Sequence, residues 1–112
     1  MQRKVLQENN LNPNFIGSWM LEPTSLCDRL MAYFESHQEK QKKGISGAGM
    51  NLNSKNSTDI SVSPNEIDLP GNEVFEDYFK NLFECHKDYV VQWPFLEKFA
   101  ENLEIGRFNL QR

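Results

Sequence analysis

The sequence predicts an α+β fold, because it contains two amphipathic helices and two alternating strands. The helices, over residues 72–90 and 25–38, each place their apolar side chains on one face at about 100° per residue. The segments 58–63 and 106–112 instead alternate between apolar and polar residues, as strands with one buried face do. Helices of this kind pack on a sheet or on each other, so we expect a helical layer over a small sheet.

The segment 72–90 gives the strongest helical signal. Asn72 is suited to cap its N-terminus, Pro70-Gly71 precedes it, and Glu73 and Glu76 suit the positive end of the helix dipole. One half of its helical wheel is polar and includes Asp88. The other half, which we expect to be buried, contains Val74, Phe75, Tyr78, Phe79, Leu82, Phe83, Cys85, His86, Tyr89 and Val90.

The helix over residues 25–38 follows Glu22-Pro23. Ser25 and Asp28 have the spacing of a capping box, which predicts that Ser25 caps this helix. Its apolar arc contains Leu26, Cys27, Leu30, Met31, Tyr33 and Phe34.

The remaining segments predict connections of different kinds. Residues 1–14 are polar and indicate a weakly structured lead-in, and residues 15–21 are a short strand or extended piece. Residues 39–53 are rich in lysine and glycine, which is typical of a flexible loop. Trp93-Pro94 ends the long helix. Residues 95–103 predict a short helix whose inward side chains are Phe95, Leu96 and Phe99.

Composition narrows the function classes. A chain of 112 residues forms one domain or the N-terminal part of one. A net charge of -4 argues against a nucleic acid or an anionic membrane surface as partner. The chain shows no apolar run of the roughly 20 residues that cross a bilayer, and no secretory signal is visible, so we expect a cytoplasmic protein. Cys27 and Cys85 are expected to be buried free thiols.

No catalytic constellation can be assembled from the residues. His86 and Asp88 form a literal His-x-Asp, the spacing of two ligands in facial-triad iron sites. On a helix, residues two apart point about 200° away from each other. We therefore expect His86 in the core and Asp88 in solvent. Cys85 beside His86 makes no thiolate pair for the same geometric reason.

The order of the motifs nevertheless resembles a known family. Cys27-Asp28-Arg29-Leu30, the strand 55–60, the helix with Tyr78-x3-Leu82-x6-Tyr89 and the strand 105–112 look like the front half of a prolyl-4-hydroxylase-like oxygenase. This is the superfamily that depends on 2-oxoglutarate and Fe(II). The resemblance covers about residues 16–112. It implies amphipathic helices packed on the first strands of a double-stranded β-helix (jelly-roll), incomplete in this chain.

The resemblance also implies that the residues of the family that bind iron and 2-oxoglutarate are not in this chain. The family's iron ligands and its 2-oxoglutarate-binding basic residue would follow Arg112. The implied protein is thus the N-terminal portion of a dioxygenase that acts on a peptidyl or similar substrate, with no catalytic or metal residue present here. By itself this chain would bind no cofactor; Fe(II) and 2-oxoglutarate belong to the complete enzyme. Lys55, Ser57, Asp59 and Arg112 transfer as candidates on the substrate side, and each has an alternative interpretation as an outward polar strand residue.

A second hypothesis is a small stand-alone α+β module that binds a protein through its aromatic surface or the 39–53 loop. The last strand distinguishes the two hypotheses. The N-terminal portion of an enzyme would leave strand 107–112 with an open edge and the aromatic face of the long helix partly covered. Such an edge predicts self-association.

Overall fold

The computed structural model describes residues 3–4, 15–44, 56–98 and 104–112. Within these ranges the protein is α+β, with two α-helices and two small antiparallel sheets. The elements in chain order are β1 (Arg3–Lys4), β2 (Ser18–Trp19), α1 (Ser25–Ser36), β3 (Lys42–Lys43), β4 (Thr58–Val62), α2 (Glu73–Gln92) and β5 (Phe108–Gln111), with 3-10 turns at Gln38–Lys40, Pro64–Glu66 and Pro94–Lys98.

The larger sheet has the order β3-β4-β5, and both of its pairings are antiparallel. Ile60 lies opposite Leu110, and Val62 lies opposite Phe108. The smaller sheet consists of β1 and β2. The two alternating segments of the sequence therefore are strands, as the pattern predicts, and the structure shows that they are neighbours.

The core lies between the two α-helices and one face of the larger sheet. Phe75 is its centre: its ring centroid lies 4.6 Å from that of Tyr33 on α1 and 5.4 Å from that of Phe108 on β5. Arg29 and Asp77 join the two helices at the surface through an ion pair of 2.7 Å. The buried apolar residues are Leu26, Tyr33, Phe34, Ile60, Val62, Val74, Phe75 and Phe79.

The long helix begins and ends close to the predicted positions. It follows Asn72 and continues two residues past Val90, and Trp93 ends it before Pro94. Asn72 is buried, but its side chain does not cap α2. Instead its amide donates a hydrogen bond of 2.7 Å to the carbonyl oxygen of Glu66. Asn72 thus fixes the preceding turn to the start of the helix.

The predicted capping box of α1 is wrong. Thr24 precedes the helix and makes no side-chain capping bond, and the helix ends at Ser36 rather than at residue 38. A capping box does form at the 3-10 turn after β4, where the backbone N–H of Ser63 donates to the Glu66 carboxylate at 3.3 Å. The same pairing chemistry is therefore used, but with glutamate, which reaches back further than aspartate.

The apolar face of α2 is buried only in part. Phe75 and Phe79 are buried, whereas Tyr78, Leu82 and Phe83 are 36%, 46% and 38% exposed. The prediction of one continuous buried face is therefore wrong. The physical reason is that the larger sheet has short strands, so the helix extends beyond it.

The shorter helix shows the same incomplete cover. Met31 is 53% exposed although it lies on the predicted apolar arc. Cys27 is also exposed, which corrects its predicted burial, while Cys85 is half-buried; both are free thiols.

Three predicted connections differ from the structure or lie partly outside it. The predicted 39–53 loop begins with ordered structure, since Lys42–Lys43 pair with β4; residues 45–53 are outside the described ranges. Arg3–Lys4, within the predicted lead-in, form β1. Phe95, expected inward, is 51% exposed in a 3-10 turn, and Phe99 lies outside the described residues.

No helix in the described part of the chain is long and apolar enough to cross a membrane.

Candidate functional site

Three of the four predicted substrate-side residues meet at one end of the larger sheet. Thr58, which lies between Ser57 and Asp59, exchanges two backbone hydrogen bonds with Arg112, of 2.9 and 3.0 Å. The pairing of β4 with β5 therefore brings residues about 50 positions apart into contact. Lys55 lies outside the described residues.

The side chains of these residues point to opposite faces of the sheet. Asp59 and Ser57 alternate with the core residue Ile60, so they lie on the face away from the helices. Arg112 lies on the helix face, where its guanidinium donates a hydrogen bond of 2.8 Å to the Glu35 carboxylate on α1. The candidate site thus contains Ser57 and Asp59, and Arg112 lies apart from it.

Asp59 is the centre of a polar row on this face. The hydroxyl of Ser57 donates to Asp59 Oδ1 at 3.0 Å, and the side-chain amide of Gln111 donates to Asp59 Oδ2 at 3.2 Å. Gln111 and Lys42 are the residues directly opposite Asp59 on the two neighbouring strands. We call Lys42, Ser57, Asp59 and Gln111 the polar row.

The polar row combines a buried carboxylate with exposed polar groups. Asp59 is only 8% exposed, although the sequence pattern suggests an outward strand residue. It is central in the sheet, so its neighbours cover it, and donors satisfy its oxygens as a buried carboxylate requires. Lys42 and Gln111 are exposed at its sides. Such a row suits binding a peptide or another polar group by hydrogen bonds.

Lys42 and Gln111 were not among the sequence-predicted site residues. The alternation of β5 does place Gln111 on a polar face, but strand register decides that it lies opposite Asp59. The signal for Lys42 is weaker still, because its strand has two residues inside a lysine-rich run.

A second feature is an apolar hollow of about 500 Å³ beside the second half of α2. It contains His86, which is half-buried rather than enclosed in the core. Burial raises the pKa of the Cys85 thiol in this hollow, which makes it a poor nucleophile at neutral pH. The lining residues are Trp19, Phe79, Leu82, Phe83, Cys85, His86, Tyr89 and residues 104–108.

Asp88 does not face free solvent as predicted, but anchors the small sheet to α2. Its carboxylate accepts hydrogen bonds from the Arg3 guanidinium at 2.7 and 3.1 Å and from the Trp19 indole N–H at 2.7 Å. The bonds from Trp19 and then Arg3 lower the pKa of Asp88. Gln92 Oε1 accepts a further bond from Arg3 at 2.7 Å. Asp88 therefore has a structural role.

The described residues do not fit an Fe(II) ion. In the ranges that the structure describes, no three His, Cys, Asp or Glu side chains come together as metal ligands. His86 lines the apolar hollow, and Asp88 is bound to Arg3 and Trp19 on another side of the helix.

Comparison with models of protein families, with curated proteins and with solved structures finds no match to this chain. The resemblance of its sequence motifs and the geometry of its described residues therefore carry the functional proposal.

Proposed function

We propose that this chain is the N-terminal portion of a prolyl-hydroxylase-like dioxygenase, which depends on Fe(II) and 2-oxoglutarate and hydroxylates a peptidyl or similar substrate. In this proposal α1 and α2 form the supporting layer. The strands β4 and β5 are the first strands of a double-stranded β-helix. The iron ligands and the 2-oxoglutarate-binding residue belong to a portion of the enzyme that this chain does not supply.

The observation that carries the proposal is the division of the larger sheet into two unlike faces. One face is covered by the helices and carries Ile60 and Val62, which are 0% and 1% exposed. The other face carries the polar row, with Asp59 held by Ser57 and Gln111. A support layer on one face and fixed polar groups on the other suit a sheet whose second face binds substrate.

The direct test is turnover by the product of the complete reading frame. We expect that protein, in the presence of O2, to convert 2-oxoglutarate to succinate and CO2 only when Fe(II) is added, with succinate measured by NMR. Failure to bind or decarboxylate 2-oxoglutarate with Fe(II) present would overturn the proposal.

A matched pair of variants tests the polar row in the same enzyme. Asp59→Asn removes the negative charge that holds Ser57 and Gln111 in place, and we expect it to raise KM for a peptide substrate about tenfold or more, because the charge-assisted bonds that position these two side chains are lost. Ser61→Ala is the control. Ser61 is the next residue on the same face of β4 and bonds to Arg107 outside the row. Equal effects of both changes would remove the polar row from substrate binding.

The exposed apolar residues of α2 favour a second candidate, a stand-alone protein-binding module. Tyr78, Leu82 and Phe83 are large, exposed and close together on one helix face. A module of this kind would bind its partner as the 112-residue chain and would be indifferent to Fe(II) and 2-oxoglutarate. The turnover experiment therefore distinguishes the two candidates.

A further inference from the structure

We propose that two copies of this chain associate by pairing their β5 strands antiparallel, which extends the larger sheet across the dimer. The strand that pairs with the free edge of β5 is thus β5 of a second copy of the chain. The inference concerns the 112-residue chain itself and does not rest on the oxygenase proposal.

The backbone of β5 has one free edge. Thr58 and Arg112 exchange two hydrogen bonds, so residues 108, 110 and 112 direct their backbone N–H and C=O groups toward β4. The backbone groups of Asn109 and Gln111 consequently point the other way. No described strand pairs with β5 on that side. Exposed edges of this kind are templates for adding a strand.

Apolar hollows flank this edge at both of its ends. The 500 Å³ hollow lies at Phe108 and contains Leu82 and Phe83 of α2, and a hollow of about 190 Å³ lies at Leu110 and contains Met31 of α1. Both hollows are lined by β5, and none of their described lining residues belongs to β4. They therefore lie beside the free edge, on the helix side of the sheet.

The strand is self-complementary in the antiparallel sense. Placing Asn109 opposite the partner's Asn109 aligns the free backbone groups of the two strands. It also sets Phe108 beside the partner's Leu110 on the helix side. A two-fold axis perpendicular to the sheet relates the copies, so both helical layers lie on the same side. The hollow at Phe108 then meets the hollow at the partner's Leu110, and the exposed apolar residues of α2 face those of the partner's α1.

The charges along the edge are compatible with this pairing. Arg107 lies opposite the partner's Gln111, so no like charges oppose each other. Arg112 lies beside the partner's Gly106, two residues from a glutamate, Glu104, whose charge is opposite. Alternation and charge are therefore both compatible with this register.

The first test measures association of the whole chain by analytical ultracentrifugation. Asn109→Pro removes the N–H that points to the free edge and leaves the hydrogen bonds to β4 in place. We expect a dimer whose dissociation constant rises about tenfold or more in this variant, because both copies lose a hydrogen bond. Asn109→Ala keeps the N–H and should leave the constant unchanged. A monomer at every concentration, or equal effects of both variants, would overturn the proposal.

The second test determines the register of the pairing, and it does not depend on whether the proline variant folds. In a background of Cys27→Ser and Cys85→Ser, Asn109→Cys should form a disulfide-linked dimer under mild oxidation. Directly opposed residues in a hydrogen-bonded antiparallel pair have Cα atoms about 5.5 Å apart, within disulfide range. Ser61→Cys, an exposed position on the same face of the central strand, should not cross-link. Dimers that cross-link equally through both positions, or only through Ser61→Cys, would contradict the pairing.

Discussion

Truncation of two phenylalanines on the same helix tests whether the apolar face of α2 is only partly buried. Phe75 and Phe83 both lie on the predicted apolar half of the wheel, but Phe75 is 2% exposed and Phe83 is 38% exposed. Phe75→Ala and Phe83→Ala are identical chemical changes on one helix. Helix propensity therefore changes equally in the two variants, and the difference between them reports burial.

The structure sets different magnitudes for the two changes. Phe75→Ala removes a ring packed on Tyr33 and Phe108 and leaves a cavity in the core, so we expect a loss of about 3–5 kcal/mol in the free energy of unfolding. Phe83→Ala removes a partly exposed ring and leaves no closed cavity. We expect a loss of no more than about 1.5 kcal/mol, from reduced burial alone.

Urea unfolding followed by far-UV circular dichroism measures both losses. The titration should be repeated at two protein concentrations, because Phe83 lies in the hollow that we assign to the dimer, and association stabilises the folded chain. At the lower concentration the two variants should differ by about 1.5 kcal/mol or more. Equal losses in the free energy of unfolding would refute the difference in burial between Phe75 and Phe83.

Three further predictions concern single contacts. Hydrogen bonds from Trp19 and Arg3 lower the pKa of Asp88, so the contact between Asp88 and Trp19 should be complete above about pH 4 and should be lost as the pH falls through the lowered pKa of Asp88. The indole N–H resonance of Trp19 should shift with acid in the parent chain and not in Asp88→Asn. Cys27 should react with iodoacetamide faster than Cys85, since Cys27 is exposed and burial raises the pKa of Cys85; mass spectrometry at successive times would show the order, and the reverse order would contradict the structure. Asn72→Ala should lower the free energy of unfolding by about 0.5–1.5 kcal/mol, because the carbonyl oxygen of Glu66 loses one of its two donors and keeps the backbone N–H of Leu69; an unchanged melting temperature would mean that this bond contributes nothing.

The sequence is sufficient to predict the two helices and the two longer strands. Their patterns are local: the wheel of residues 72–90 and the alternation around Ile60 and Leu110 do not depend on distant parts of the chain. A wheel shows which side of a helix is apolar, but not how far the sheet beneath it extends. A helical wheel therefore could not predict that Leu82 and Phe83 are exposed.

The contacts missed from the sequence all join distant segments. Arg3 lies in a polar stretch with no pattern of its own, yet it binds Asp88, 85 positions away. The burial of Asp59 depends on its central place in the sheet and on the register that brings Gln111 opposite it. Register is set by tertiary pairing, so a period of two identifies the faces of each strand but not its partners.

The most direct measurement for the central claim is to determine the source DNA sequence beyond the codon for Arg112. The dioxygenase proposal predicts that the reading frame continues into a tyrosine-containing turn, a His-x-Asp and a later histidine some tens of residues further on. A stop codon directly after Arg112, together with a chain that ignores Fe(II) and 2-oxoglutarate, would contradict the proposal and leave the protein-binding module.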